Sequence, residues 1–218
     1  MNKCTLVTVV SVSALAMPIS AQAQPEDYGL QGSVTADVFW GSTKIKETRK
    51  EDDTIPSFSA SIEHDVPYLP NFRLRYTKLD TPDIAHDKYD YTFYYRPLRT
   101  DNLALDLGFT LSDYRNSFYR YDATESGDFD STIFSWYANA LIAVPNSNFA
   151  VIGEFDFGET SKIKSADMTA GIQYRIECDS IDVIFRGGYR VLDYTFKEYD
   201  KKAYGFVDGW FLGSKITF

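Results

Sequence analysis

The chain has 218 residues and sets 22 Lys and Arg against 31 Asp and Glu, a net charge of −9, which repels a nucleic-acid backbone and excludes that class of partner. Beyond the leader no stretch is apolar for roughly eighteen positions, so no transmembrane helix is available. Yet 16 Tyr and 16 Phe form an aromatic load suited to lipid-facing strands with interfacial girdles.

Residues 1–23 read as a secretory signal. Lys3 gives a positive start, residues 5–19 are apolar or small, and Ala21-Gln22-Ala23 is a small-x-small cleavage site before Gln24. The expected mature domain is 24–218. Of the two cysteines only Cys178 lies in it, which leaves no partner for an intramolecular disulfide.

From Tyr28 the chain alternates with a period of two, the mark of a strand with two unlike faces. The first strand is expected over 28–40, with Val34, Ala36, Val38 and Trp40 on one face and Ser33, Thr35 and Asp37 on the other. Phe39 breaks the polar parity. Residues 41–56 read as a long polar loop. A second strand, 57–66, opposes Phe58, Ala60, Ile62 and His64 to Glu63 and Asp65, and Pro67 and Pro70 then enforce a compact turn.

A third strand, 72–78, turns Arg73 and Arg75 away from Leu74 and Tyr76, and a polar loop is expected over 79–88. In the fourth, 89–96, Tyr89, Tyr91, Phe93 and Tyr95 alternate with Asp90, Thr92, Tyr94 and Arg96. The fifth, 102–112, carries Asp106 on its polar face. The longest loop follows at 113–131, with Tyr114, Phe118, Tyr119 and Tyr121 as aromatic residues able to dock a partner.

The sixth strand, 132–144, has apolar residues on both parities; Phe134, Trp136 and Ile142 are expected outside, with Ser135, Tyr137 and Asn139 inside. The seventh, 149–158, places Glu154 and Asp156 opposite Val151 and Phe155. The eighth, 166–176, places Asp167 and Arg175 opposite Met168 and Ile172. The ninth, 181–191, places Asp182, Arg186 and Arg190 opposite Val183, Phe185 and Tyr189. After a polar stretch, 192–202, the last strand ends on Phe218, with Trp210 and Leu212 on one parity and Phe211 and Lys215 on the other; Asp208, on the apolar parity, is expected at the outer rim.

Ten strands whose connections alternate longer and shorter are the rhythm of an all-β, antiparallel transmembrane β-barrel with short periplasmic turns and longer outer loops. The phase is set by solvation. Slipping the ninth strand by one residue would aim Arg186 at lipid, at a cost of about 2–4 kcal/mol near the midplane. The interior would then hold Asp37, Glu63, Asp65, Arg73, Arg75, Asp90, Arg96, Asp106, Glu154, Asp156, Asp167, Arg175, Asp182, Arg186 and Arg190, charges of both signs that can pair across a narrow lumen. Tyr28, Trp40, Tyr89, Tyr91 and Trp210 are the expected interfacial aromatics.

Residues 66–108, with Pro67-Tyr68-Leu69-Pro70-Asn71-Phe72-Arg73-Leu74-Arg75-Tyr76 and Asp101-Asn102-Leu103-Ala104-Leu105-Asp106-Leu107-Gly108, together with Asp208-Gly209-Trp210-Phe211-Leu212-Gly213 and the close at Phe218, resemble the "outer membrane protein with Gly-Gly" family of Gram-negative bacteria. Gly187-Gly188 would correspond to its Gly-Gly. The resemblance implies a barrel in the outer membrane, both termini periplasmic, without established substrate or catalytic residues. It also implies that Phe218 is the terminal aromatic recognised by the barrel assembly machinery.

The leading expectation is a non-enzymatic barrel with a structural or narrow-channel role; a small hydrophobic ligand path past Phe39, Tyr94, Tyr137, Ile152, Ile184 and Phe211 is a variant of it. The alternatives are an adhesin or receptor acting through outer loops, and a rim hydrolase. A hydrolase needs a base beside a nucleophile or activated water. The one rim cluster is His86 with Asp87 and Asp90, where His86 reads as an exposed loop residue, and His64 belongs to the other end of the barrel. No Gly-rich phosphate loop or Cys/His metal spacing occurs, so no cofactor is expected.

Overall fold

In an antiparallel sheet that closes on itself, every strand's outward parity meets one solvent and its inward parity another, so period-two alternation along the whole chain dictates a barrel. The structure, a computed structural model, describes residues 29–45, 48–120, 126–197 and 203–218. The expected leader at 1–23 and the aromatic positions Tyr28 and Tyr121 lie outside the described residues.

Among the described residues eleven strands form: β1 (Gln31–Ile45), β2 (Thr48–Glu63), β3 (Asn71–Asp80), β4 (Ile84–Arg99), β5 (Leu103–Arg120), β6 (Ser126–Gly127), β7 (Ser131–Ala143), β8 (Phe149–Glu159), β9 (Ile163–Glu177), β10 (Asp182–Phe196) and β11 (Ala203–Thr217). Each long strand pairs antiparallel with its neighbours, β4 pairs with β5, and β1 pairs with β11. This closes ten strands into a barrel, with the two-residue β6 added on the edge of β5.

The outer wall is a belt of exposed apolar side chains, among them Val34, Phe58, Leu74, Leu107, Trp136, Val151, Ile172, Phe185 and Leu212. In water such a surface would be an aggregation liability; around a closed barrel it is the surface that hydrocarbon wets. The protein is a transmembrane β-barrel of the outer-membrane type. Tyr76 packs at a tilt against Tyr89 at 5.0 Å, and Tyr189 meets Trp210 edge-on at 5.3 Å beside Trp40, the register partner of Trp210. Trp40, Tyr89, Tyr91 and Trp210 all face outward and are exposed.

Four segments expected as loops are largely strand. β1 continues to Ile45 and β2 starts at Thr48; β3 and β4 leave only a short connection between Asp80 and Ile84; β5 runs through Arg120; and β10 runs through Phe196. Above the lipid belt the outward parity meets water, so apolar residues vanish from it and the period-two signal fades while the ladder continues. At the other end β2 stops at Glu63, three residues earlier than expected. Asp65 therefore lies exposed beyond the strand, near Gly29, rather than in the lumen.

A bulge in β5 resets which side chains enter the barrel. Asp87 pairs with Arg115 but Ala85 pairs with Phe118, so β5 carries one extra residue there, and Asn116 takes the left-handed backbone that a bulge requires (φ 50°). Before the bulge Tyr114 points inward; after it the odd positions Ser117 and Tyr119 do.

Candidate functional site: the barrel lumen

The lumen divides into three levels between the end that carries the short turns, here the turn end, and the end that carries the long hairpins. At mid-height Arg75 of β3 reaches four carboxylates. Its Nε donates to Asp90 (2.9 Å), Nη1 to Glu154 (2.6 Å), and Nη2 to Asp156 (3.0 Å) and Asp167 (3.2 Å). In the ring order β3 and β9 are opposite walls, so the contact with Asp167 crosses the whole bore.

Arg73 grips both oxygens of Glu154 (2.8 and 2.9 Å), and Arg190 grips both of Asp167 (2.9 and 2.7 Å). Lys88 adds Asp90 (3.2 Å) and Asp167 (3.3 Å). Thr110 donates to Asp156 and Ser112 to Asp90, each at 2.6 Å. Four cations thus meet four anions, and the forked geometry of arginine lets nearly every carboxylate oxygen find a donor.

Toward the hairpin end a second closure follows. Phe39, Ile55, Leu79, Ile84, Tyr114, Tyr119, Phe129, Ile133, Ile163, Leu192, Tyr194, Phe196 and Val207 form an apolar plug inside the barrel. Tyr119 and Phe196 stack in parallel at 4.2 Å, and Phe129 packs on Phe196 at 4.9 Å. His86 lies within this plug. It is 2% exposed, its Nε2 shares a 2.9 Å hydrogen bond with the Tyr194 hydroxyl, and Tyr114 and Phe129 face its ring edge-on.

The expectation of an exposed loop histidine is therefore corrected, and so is its cluster. Asp87 points outward to accept from Tyr76 (2.6 Å) and Asn116 (2.8 Å), whereas Asp90 points inward to Arg75 and Lys88. Tyr114 and Tyr119, expected in a docking loop, are buried in the plug. His64 follows β2 near the turn end, where its N–H donates to Asn71 Oδ1 (2.9 Å). Asp208, expected at the outer rim, is buried and accepts from the Tyr189 hydroxyl.

The turn-end level is an open polar vestibule of about 430 Å³. Arg96 holds Glu63 (2.8 Å) and Asp106 (2.6 Å), Tyr94 donates to Glu63 (2.9 Å), and Asn139 donates to Asp106 (3.0 Å). Arg186 stands 3.5 Å from Asp37 and over the Phe211 ring at 5.3 Å. Arg175 and Asp182 meet at 3.6 Å near the mouth. Of the residues on the expected hydrophobic path, Tyr94, Tyr137, Ile152 and Ile184 line the vestibule, Phe39, Ile152 and Phe211 share one buried apolar cluster, and Phe39 and Phe211 stand beside Arg190 and Arg186 at 5.8 and 5.3 Å.

Two lumen cations were not singled out from sequence. Lys88 falls in a segment whose sequence reads as loop, and Lys215 is the lone charge on the small-residue parity of the last strand. Their signal was parity alone, since both share the inward register of residues already assigned to the lumen. Among the described residues no group of His, Cys, Asp and Glu is arranged to hold a metal ion.

No family profile and no curated protein sequence matches the chain. Among solved structures it is similar to the outer membrane protease OmpT from Escherichia coli, at 11% identity over 87% of this chain and 93% of that one, with a TM-score of 0.40. The β domain of the Bordetella autotransporter BrkA gives 11% identity over 86% and 98%, with a TM-score of 0.48. Neisserial surface protein A gives 13% identity over 87% and 96%, with a TM-score of 0.35.

Proposed function

We propose that this chain is a non-enzymatic barrel of the Gram-negative outer membrane with a structural role and a lumen closed to solutes. The turn end and both chain ends face the periplasm, and the hairpins face outward. The observation that carries the reading is the bonding of Arg75 to Asp156 and Asp167 on the far wall. A solute entering there would have to separate buried ion pairs and leave their charges unpaired, at about 3–5 kcal/mol for each broken partner.

The leader at 1–23 is removed on export. Lipid and, during insertion, the barrel assembly machinery are the partners, with Phe218 as the recognised terminal residue. The resemblance of 66–108 and of the last strand to the Gly-Gly family fits this role. His86 supports no hydrolysis in this reading, because its Nε2 is bonded to Tyr194 beneath a lid of aromatic rings.

Reconstitution of the mature protein into planar bilayers tests the reading. The expected record is flat across salts and small solutes. Sustained, solute-selective current steps would replace the closed barrel with a narrow channel, and peptide or lipid hydrolysis abolished in His86→Ala would replace it with an enzyme.

A further inference from the structure

The turn that joins β2 to β3 holds a residue whose backbone is strained and whose side chain the fold does not use. Tyr68 takes the left-handed conformation (φ 65°), which a bulky side chain adopts only against steric strain that glycine escapes and asparagine tolerates. The β7–β8 turn meets the same demand with Asn146 (φ 57°). Tyr68 is 96% exposed, so its ring packs on almost nothing of the protein. The turn is closed without that ring: Pro67 and Pro70 restrict the chain on either side, and the His64 N–H donates to Asn71 Oδ1 at its base (2.9 Å). Leu69, the next residue, is exposed as well.

Tyr95 fixes what these two side chains meet. It is exposed on the outward face of β4, on the same parity as Tyr89 and Tyr91 of the lipid-facing wall. A belt tyrosine lies with its ring against hydrocarbon and its hydroxyl among the headgroups. The Tyr95 hydroxyl donates to the Tyr68 carbonyl oxygen (2.9 Å), which places the backbone of Tyr68 at headgroup depth on the outside of the barrel. Ile62, the last outward residue of β2, and Leu107, the register partner of Tyr95, are exposed on the same wall. Two side chains are too small a patch for a stable protein interface, which takes on the order of 800 Å² from each partner. Lipid already covers the wall they adjoin.

We propose that the 67–70 turn is a membrane anchor, with Tyr68 and Leu69 inserted among the headgroups and upper acyl chains of the leaflet at the turn end. The apolar area that leaves water there offsets the strain held in the Tyr68 backbone. The inference uses only the lipid-facing wall and goes beyond the closed-barrel reading, so a conducting lumen would leave it standing.

A polarity-sensitive fluorophore attached at Leu69→Cys in the full mature chain tests it. Cys178→Ser removes the other thiol of that chain, and the labelled protein is refolded into vesicles of phosphatidylethanolamine and phosphatidylglycerol. Blue-shifted emission is expected, with quenching by a nitroxide carried high on the lipid acyl chain. Iodide present on both faces of the membrane should fail to quench this probe while it quenches the same probe at Asp179→Cys, in the exposed turn between β9 and β10. Heat-dependent gel migration identifies the variants that fold, and the probe at Tyr68→Cys carries the test if Leu69→Cys does not. Emission and iodide quenching equal to those at Asp179→Cys overturn the anchor and leave the turn in water.

Discussion

The ring of Phe218 lies over the backbone of Gly32. The two residues exchange backbone hydrogen bonds, Gly32 N–H to Phe218 O at 2.8 Å and Phe218 N–H to Gly32 O at 2.9 Å, and a Cβ built on Gly32 would stand 2.5 Å from the ring. The terminal aromatic therefore has a seat that only glycine provides. Gly32→Leu should push the ring off and lower the folded yield to that of Phe218→Ala, with the double variant no worse than either single one. The folded fraction on an unheated gel measures this, and additive losses would show that the two act separately.

Arg75 is the central cation of the lumen, and its removal leaves Asp90, Glu154, Asp156 and Asp167 facing Arg73, Lys88 and Arg190 with one negative charge in excess. Arg75→Met should destabilise the barrel by about 3–5 kcal/mol, read as a lower urea midpoint in detergent. Arg75→Lys should recover only part of that, because a single ammonium cannot span four carboxylates on three strands as the fork of a guanidinium does. Equal midpoints for Arg75→Lys and the parent would show that charge alone suffices.

Sequence patterning revealed the strands where hydrocarbon wets them and lost them where it does not. Phe58, Tyr91 and Leu212 alternate with lumen residues because lipid and lumen make opposite demands, and those strands were legible with their phase. Ile84, Leu192 and Phe196 point into a plug, beyond the lipid belt, where outward neighbours are polar; the apolar parity there has reversed, and a reading tuned to greasy exteriors takes it for loop. The bulge at Asn116 compounds this, since it admits both Tyr114 and Tyr119 to the lumen although their positions differ in parity. Which carboxylate meets which arginine was not legible, because it depends on strands brought together across the bore. The ion pair between Arg75 and Asp167 joins residues 92 positions apart.

Gly188 and Gly171 face each other on β10 and β9, and their neighbouring backbones leave no room for a side chain. A Cβ on Gly188 would lie 2.2 Å from the Ala170 carbonyl oxygen, and one on Gly171 would lie 2.4 Å from the Gly187 carbonyl oxygen. Relief requires the ladder itself to shift. Gly188→Ala should lower the urea midpoint clearly, whereas Gly153→Ala, with nothing within 4 Å of its added Cβ, should leave it unchanged or raise it slightly. A matched response at the two sites would remove the close-packing account.

The plug hangs on a small polar hinge at its outer edge. Ser117 N–H donates to Asp130 Oδ1 (2.8 Å), and the next residue back, Phe129, donates its N–H to Ser117 Oγ (2.8 Å) while its ring enters the plug. Asp130 lies outside the membrane span. Its slight burial works against the charged form, but the bonds from the Ser117 hydroxyl and N–H, with Arg115 and Lys162 nearby, outweigh it and hold the carboxyl below its ordinary value of 3.8. A depressed carboxyl stabilises the fold fully above that ordinary value and loses its contribution as pH falls through the lower folded one. Asp130→Asn should therefore unfold faster than the parent at neutral pH, by an amount equivalent to about 0.5–1 kcal/mol for so exposed a group. The gap should close as the buffer is taken below pH 3.8. Unfolding rates in urea across that range measure it, and a gap that persists unchanged into acid would show that Asp130 holds the hinge by shape and not by charge.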